Sequence, residues 1–408
     1  MTTQTTTSAP HVGLATAALA LGAFAIGMTE FVTMGLLPEI GDAVGSSPAE
    51  TGRIIATYAA GVLLGTPFIV GLVTHLPRRT VAVILVLAIG AGNLLTALAV
   101  SSETLHAFRF LAGLPHAAYF GTAQVLAASL VPVGRQGHAV AMVALGLTVS
   151  GVTGVPLGTW LGQATDWRLA FVSIALVCAA TAALILAFVP KAPGDPTLSP
   201  RAELGALRRP QVVFGAVAAL LTASGVFAMY SYISPLVDEA ADMPRSAVPV
   251  AMLLWGLGGV IGGMFAGRIL DAGLIRAIVG GNIAMIAMLV AVSVTVSAPA
   301  LLLVVIFLVG LVGPPASLGF TVRIMQEAGR AQLLGAALTS AAFNASNGLG
   351  ALLGSWTVLG GFGYEGTGYV GAAVTAVGLA VFCLGLLVAN RAGRARARAR
   401  LLTATEGL

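Results

Sequence analysis

The chain has 408 residues, of which 58% are apolar and only 9% charged, and its mean hydropathy is +0.98. A soluble globular domain carries about 25% charged residues, so this composition excludes a soluble fold and describes a polytopic membrane protein. The net charge of +5 does not point to nucleic acid, because the basic residues fall in short loops and a tail with no aromatic-rich soluble region beside them.

Residues 1–11 (MTTQTTTSAPH) lack a basic n-region and an A-x-A cleavage site and read as a tail before a retained helix. A bilayer-crossing helix needs about 20 apolar residues. Twelve spans are predicted on that measure, at about 12–37, 50–74, 79–99, 104–131, 137–162, 168–190, 211–237, 247–270, 275–296, 299–322, 333–357 and 367–390. The segments between them carry turn chemistry, among them GDAVGSSP, THLPRRT, PVGRQG, DMPRS and GFGYEGT.

Orientation follows from where Lys and Arg fall. With the N-terminus inside, the inner segments hold Arg78, Arg79, Arg135, Lys191, Arg201, Arg208, Arg209, Arg268, Arg276, Arg323, Arg330 and five tail arginines, sixteen in all. The outer loops hold three, Arg53, Arg168 and Arg245, and Arg109 lies within a span. Both termini are therefore expected on the cytoplasmic side of a multi-pass cell-membrane protein. The longest polar interruption, KAPGDPTLSPRAELGALRRP, reads as a cytoplasmic linker over 191–210. It divides a six-helix half at 12–190 from a second at 211–390, followed by a basic tail at 391–408. A weak repeat supports the division: GTPFIVGLVTHLPRR at the end of span 2 resembles GGMFAGRILDAGLIR at the end of span 8, pairing Gly71 with Gly267 and His75 with Asp271. Two such halves with a site at the midplane between them describe an all-α secondary transporter.

Glu30 is an acid in an otherwise apolar first span, and a charge at a bilayer centre costs roughly 2.5–3.5 kcal/mol. It lies about seven residues, roughly 10 Å, from the outer end of span 1, and Arg109 lies roughly 8 Å inside span 4 at 1.5 Å per residue. The two are expected at similar depth, as a pair whose glutamate titrates while the arginine stays charged. His116, about two turns past Arg109, is a candidate to share the proton. The alternative for the pair is a static ion pair that fixes helix register. Asn344 and Asn347 in span 11 are candidates for binding substrate or for joining helices. Tyr119, Gln124, Tyr230, Tyr232 and Trp255 are candidate cavity residues. Gly151, Gly154 and Gly158 allow close helix approach, and Pro156 removes a backbone donor and can kink span 5. Cys178 and Cys383 read as small buried hydrophobes. No metal-ligand spacing occurs, and no Walker A pattern occurs. No cofactor or enzymatic activity is expected; the energy source would be the proton gradient.

At these residues the chain resembles the major facilitator superfamily, and within it the twelve-span drug:proton antiporters that include arabinose-efflux-like and chloramphenicol-resistance permeases. The resemblance runs from about Gly22 to Ala389. GVTGVPLGTWLGQATDWRLAF is similar to the antiporter motif, with Gly151, Gly154, Pro156 and Gly158 at matching positions. RFLAGLPHAAYFG places Arg109 and Gly113 at the span-4 arginine and glycine, and GMTEFVTMGLLPEI places Glu30 at the acidic position of span 1. The loop after span 2 departs from G-x-x-x-D-R-x-G-R-R: Gly71, Arg78 and Arg79 remain, but His75 and Pro77 replace the aspartate and second glycine. Asp271 is the residue expected to take a related gating role. The resemblance implies a monomeric, proton-coupled exporter of a small, largely apolar compound in the bilayer. Sugar or nucleobase export by the same fold, import, and a non-transporting membrane sensor remain open alternatives.

Overall fold

A computed structural model describes residues 12–73, 76–132, 135–191, 209–328 and 332–405, without the side chains of 66–68, 70–73, 137, 328, 332–340 and 390–405. The expected N-terminal tail and nearly all of the linker lie outside the described residues. Every regular element among them is helical. Helices α1 (Val12–Gly35), α2 (Leu37–Val44), α3 (Pro48–Thr51), α4 (Arg53–Val73) and α5 (Arg78–Ala97) open the chain. They are followed by α6 (Ser102–Gly113), α7 (His116–Ser129), α8 (Gln136–Val149), α9 (Val155–Ala164) and α10 (Trp167–Phe188). The rest is α11 (Pro210–Tyr230), α12 (Ala247–Ala272), α13 (Leu274–Thr295), α14 (Pro299–Ala328), α15 (Gln332–Thr357) and α16 (Gly366–Thr405).

Helix occupies each of the twelve predicted segments, but nine helices among the described residues are both long and apolar enough to cross a membrane. The fourth segment is not one of the nine. It breaks at Leu114–Pro115 into pieces of 12 and 14 residues, because proline has no N–H to give the preceding turn. Span 5 is likewise interrupted, by a π-helical turn at Ser150–Gly154 just before Pro156; the extra residue absorbs the backbone bond that Pro156 cannot make. The basic tail continues α16 as helix as far as Thr405.

Local chemistry sets the ends. Ser47 and Glu50 form a capping box at α3, and Ser101 and Thr104 form one at α6. Asp166 Oδ1 accepts the Arg168 amide at the start of α10. Gly45, at φ 69°, closes α2 in the left-handed region that favours glycine.

α1 and α4–α10 pack on one another as one bundle, and α11–α16 as a second. Large apolar side chains such as Leu64, Leu176, Met264, Phe265 and Val294 face outward, while Glu30, Arg109, His116, Asn93 and Asn347 are buried. That inverts the usual rule for a soluble protein and suits a bundle whose surroundings are lipid.

Helix crossings repeat between the bundles. A Cβ added at Gly61 or Gly65 of α4 would strike the Phe110 or Leu114 carbonyl. At Gly258 or Gly262 of α12 it would strike the Phe307 or Leu311 carbonyl. Each residue of the first set is 197 positions before its counterpart. The sequence pairing of Gly71 with Gly267 is therefore one residue out of step with these crossings. The register places Tyr58 opposite Trp255, Val62 opposite Gly259, Arg109 opposite Ile306 and His116 opposite Gly313.

Candidate functional site

Glu30 comes from the C-terminal half of α1 and is 3% exposed. Its Oε1 accepts a hydrogen bond from Asn347 Nδ2 of α15, at 2.6 Å. The bond joins the two bundles, since residues 30 and 347 belong to opposite halves. Asn347 Oδ1 is also buried and has no hydrogen-bond partner among the described residues.

Arg109, fully buried on α6, does not close the ion pair expected with Glu30. Its Nη2 donates to the Thr29 carbonyl at 3.1 Å, one residue before Glu30, while Nε and Nη1 have no hydrogen-bond partner among the described residues. The guanidinium lies over the Tyr58 ring, 4.3 Å from its centroid, with the Phe171 ring 5.8 Å away. The Tyr58 hydroxyl is hydrogen-bonded to His116 Nδ1 at 2.8 Å. Thr29 also accepts a bond from Asn93 Nδ2 through its side chain, at 3.1 Å. Sequence depth brought Glu30 and Arg109 to one level; azimuth around the helices sends them to different partners in this conformation. An arginine so placed can hold its charge on an aromatic face and keeps two donors in reserve.

Phe31 faces the second bundle. Its ring centroid lies 6.3 Å from Phe227, 6.3 Å from Tyr230 and 6.2 Å from Trp255. Tyr230 stacks on Trp255 at 4.0 Å, and Phe343 meets Phe227 edge-on at 5.2 Å. Beside this wall is a cavity of about 440 Å³, lined by Trp255, Phe227, Phe343, Met285, Gly259 and Gly313 among others, with no charged side chain. Among the expected cavity residues, Trp255 lines it. Tyr230 is in the wall behind Trp255. Tyr119 is pinned inside the first bundle, its hydroxyl donating to the Leu19 carbonyl at 3.2 Å. Gln124 is half-buried on α7, and Asn344 is buried on α15 a turn before Asn347. None of Glu30, Tyr119, Gln124, Asn344 or Asn347 lines the cavity.

The glycine motif divides between two tasks. Gly154 and Gly158 face α1, against Phe24, Met28 and Val32. Gly151 does not; its carbonyl instead meets Gly256 of α12, across the bundle boundary. Gly348 of α15 meets Ala56 and Ala59 of α4 in the matching crossing. Pro156 is buried directly after the π turn.

Further ties between the halves gather at the end that carries Glu39. The Tyr232 hydroxyl lies 3.3 Å from the Ala49 carbonyl and 2.9 Å from that of Ala351, and Arg53 Nε donates to Ser355 Oγ at 3.2 Å. Arg245 bonds Asp238 at 2.8 Å and reaches Glu39 at 3.8 Å. Tyr232 is thus a tie between the halves and not a cavity residue. Burial holds the Glu39 carboxyl above the usual carboxylate range, more than the hydrogen bond from its own backbone and the Arg245 charge offset. At the opposite end Arg78 and Arg79 open α5, and Arg79 donates to the Leu186 carbonyl. Gly71 lies in the last turn of α4; Asp271 is exposed near the end of α12 with no ion pair among the described residues. His75 lies outside the described residues.

Sequence reasoning missed Thr29, Phe31, Tyr58, Asn93, Phe227 and Phe343. The TYAAGVLLG and LLWGLGGVIG segments, read in register, would have set Tyr58 against Trp255 and drawn notice to both.

Two helical bundles closed together at one end, with a buried acid between them and a cavity beside it, define a membrane transporter. The Major Facilitator Superfamily profile matches residues 19–337, and the chain belongs to that family. It is 33% identical over 374 residues to the inner membrane transport protein YdhP of Escherichia coli (strain K12), covering 89% of this chain and 93% of that one. It is 30% identical over 350 residues to a chloramphenicol resistance protein of Streptomyces lividans, covering 83% and 88%. The fold is similar to the inward-facing, occupied crystal structure of a bacterial homologue of the human lysosomal transporter Spinster. The TM-score is 0.71 at 16% identity, over 92% of this chain and 97% of that one. The protein is a multi-pass membrane transporter of the cell membrane.

Proposed function

We propose that the chain is a proton-coupled exporter of a small, largely apolar compound, working by alternating access between two six-helix halves with both termini cytoplasmic. The observation that carries the reading is the Glu30–Asn347 bond across the halves. A neutral Glu30 has an O–H to donate, and Asn347 Oδ1 is a buried acceptor with nothing to accept. Protonation then turns one cross-half hydrogen bond into two, and the outer ends stay closed. Loss of the proton leaves Asn347 Oδ1 facing a carboxylate oxygen. The link weakens, and the ionised acid turns to the spare donors of Arg109. An exporter needs this order: a proton taken from outside favours return to the inward-facing state, and cargo binding there favours its release. A charge crossing the membrane gains roughly 2.3 kcal/mol per 100 mV. One proton per cycle then sustains a gradient of roughly fifty-fold per 100 mV for a neutral cargo, at 1.4 kcal/mol per tenfold. The chloramphenicol resistance relative and the uncharged cavity support an apolar cargo. The test is a substrate panel in inverted vesicles with a pH dye, on wild type and Glu30→Gln. The variant is expected to lose proton exchange for cargo; exchange at the full rate would refute the role of Glu30.

A further inference from the structure

The cavity beside Trp255 lies wholly in the second half, since every residue lining it falls between Ala219 and Phe343. Two of its glycines differ from the packing glycines around them. A Cβ at Gly258, Gly262 or Gly310 would strike a backbone carbonyl, so those glycines are needed for helices to meet. A Cβ at Gly259 would meet nothing within 4 Å, and at Gly313 only Met285 Cε at 3.8 Å. Helix packing does not require glycine at either position. In the first half the matching positions are Val62 and His116, and Ala316 of the cavity matches Tyr119. There Tyr119 fills the space, its hydroxyl passing Gly22 to reach the Leu19 carbonyl. At these three positions the second half has small residues where the first has large ones, and the cavity lies among them.

Its hydroxyls are few, and those of Ser317 and Thr321 are already hydrogen-bonded. Ser317 Oγ donates to the Pro314 carbonyl and Thr321 Oγ1 to the Ser317 carbonyl, each at 3.3 Å. Thr222 Oγ1, buried beside Gly378 of α16, is the one lining hydroxyl without a hydrogen-bond partner among the described residues. A polyol placed here would find the single free hydroxyl of Thr222 and bury its other hydroxyls without partners, whereas a flat ring finds Trp255, Phe227 and Phe343 to pack against and one hydroxyl to bond.

We propose that cargo and proton occupy opposite halves: a neutral aromatic molecule sits in the second-half cavity against Trp255, while Glu30 holds the proton without touching it. The inference deepens the exporter reading and rests on it for the word cargo. Phe31, adjacent to Glu30, meets the rings of Phe227, Tyr230 and Trp255 and is the path by which an occupied cavity is felt at the acid.

The test is equilibrium dialysis of the purified full-length protein in detergent against 1-naphthol, a neutral bicyclic aromatic, and against L-arabinose. Gly313→Phe and Gly259→Val fill the space from two different helices, and Gly313→Phe in the same detergent also subtracts micelle partition. 1-Naphthol is expected to bind wild type. Each filling variant that keeps the wild-type melting midpoint weakens it about tenfold or more, and Glu30→Gln binds within about twofold of wild type in acid, where Glu30 is protonated and both side chains are neutral, so that coupling to the proton cancels. Arabinose binding that the filled cavity abolishes would overturn the cargo class. Wild-type affinity in both filling variants would overturn the location. Loss of 1-naphthol binding in Glu30→Gln relative to wild type in acid would overturn the separation. No proton gradient is used, so failure of proton exchange in vesicles with these results intact would remove the exporter reading alone.

Discussion

The same helix crossings surround two unlike interiors. In the first half Tyr58, Arg109 and His116 form a buried cluster around a charge; in the second, Trp255, Ile306 and Gly313 stand at the matching positions, next to a cavity of about 440 Å³. A repeated scaffold fixes how closely helices approach, through glycines that meet backbone in both halves. It leaves the side chains between them free to specialise, one set toward charge and the other toward apolar volume.

The largest expected effect comes from making the first half like the second. Arg109→Ile places the Ile306 residue at its counterpart. Proton-coupled flux in vesicles is expected to fall to background. The melting midpoint should hold or rise, because Arg109 is a buried charge with two donors unpaired, and burying such a group is costly. A destabilised protein that still couples protons would show the cluster to be structural. A smaller effect is expected for Tyr58→Phe, which removes the bond to His116 but keeps the ring under Arg109. One hydrogen bond is worth about 1 kcal/mol, so flux should change only a few-fold; complete loss would make His116 an obligate proton carrier. Smaller still is Glu39. Its carboxyl is held above the ordinary range while the outer ends are closed and returns to that range when they part. The closed state therefore binds more protons in the interval between the two values. Acid favours closure there, and the effect is lost as pH rises through the higher value. Glu39→Gln is expected to flatten that part of a pH titration of outer-end accessibility; an unchanged titration would remove Glu39 from the latch.

The family and the polar residues of the site were legible because they are costly in a bilayer: Glu30, Arg109, His116, Asn344 and Asn347 stand out against 9% charge. Their pairing was not legible. Counting residues from a span end gives depth, whereas Asn347 reaches Glu30 through the azimuth of a helix more than 300 positions away. The aromatic wall was hidden for the opposite reason, since Phe31, Phe227 and Phe343 are ordinary residues in a membrane helix. The π turn was half legible: Pro156 announces a lost backbone bond, but not that one extra residue absorbs it and turns Gly151 toward Gly256 instead of α1.

The proton-dependent bridge between Glu30 and Asn347 can be measured directly as a distance. Spin labels on Ala43→Cys and Ser246→Cys, both exposed near the end that carries Glu39 and on opposite halves, report closure in a Glu39→Gln, Cys383→Ser background. With Glu30 present, the short distance should gain population as pH falls. Glu30→Gln presents an amide that both donates to Asn347 Oδ1 and accepts from its Nδ2, and should hold the short distance at every pH. Asn347→Ala should remove the dependence. A Glu30→Gln protein whose distances still follow pH as those of its parent do would contradict the account.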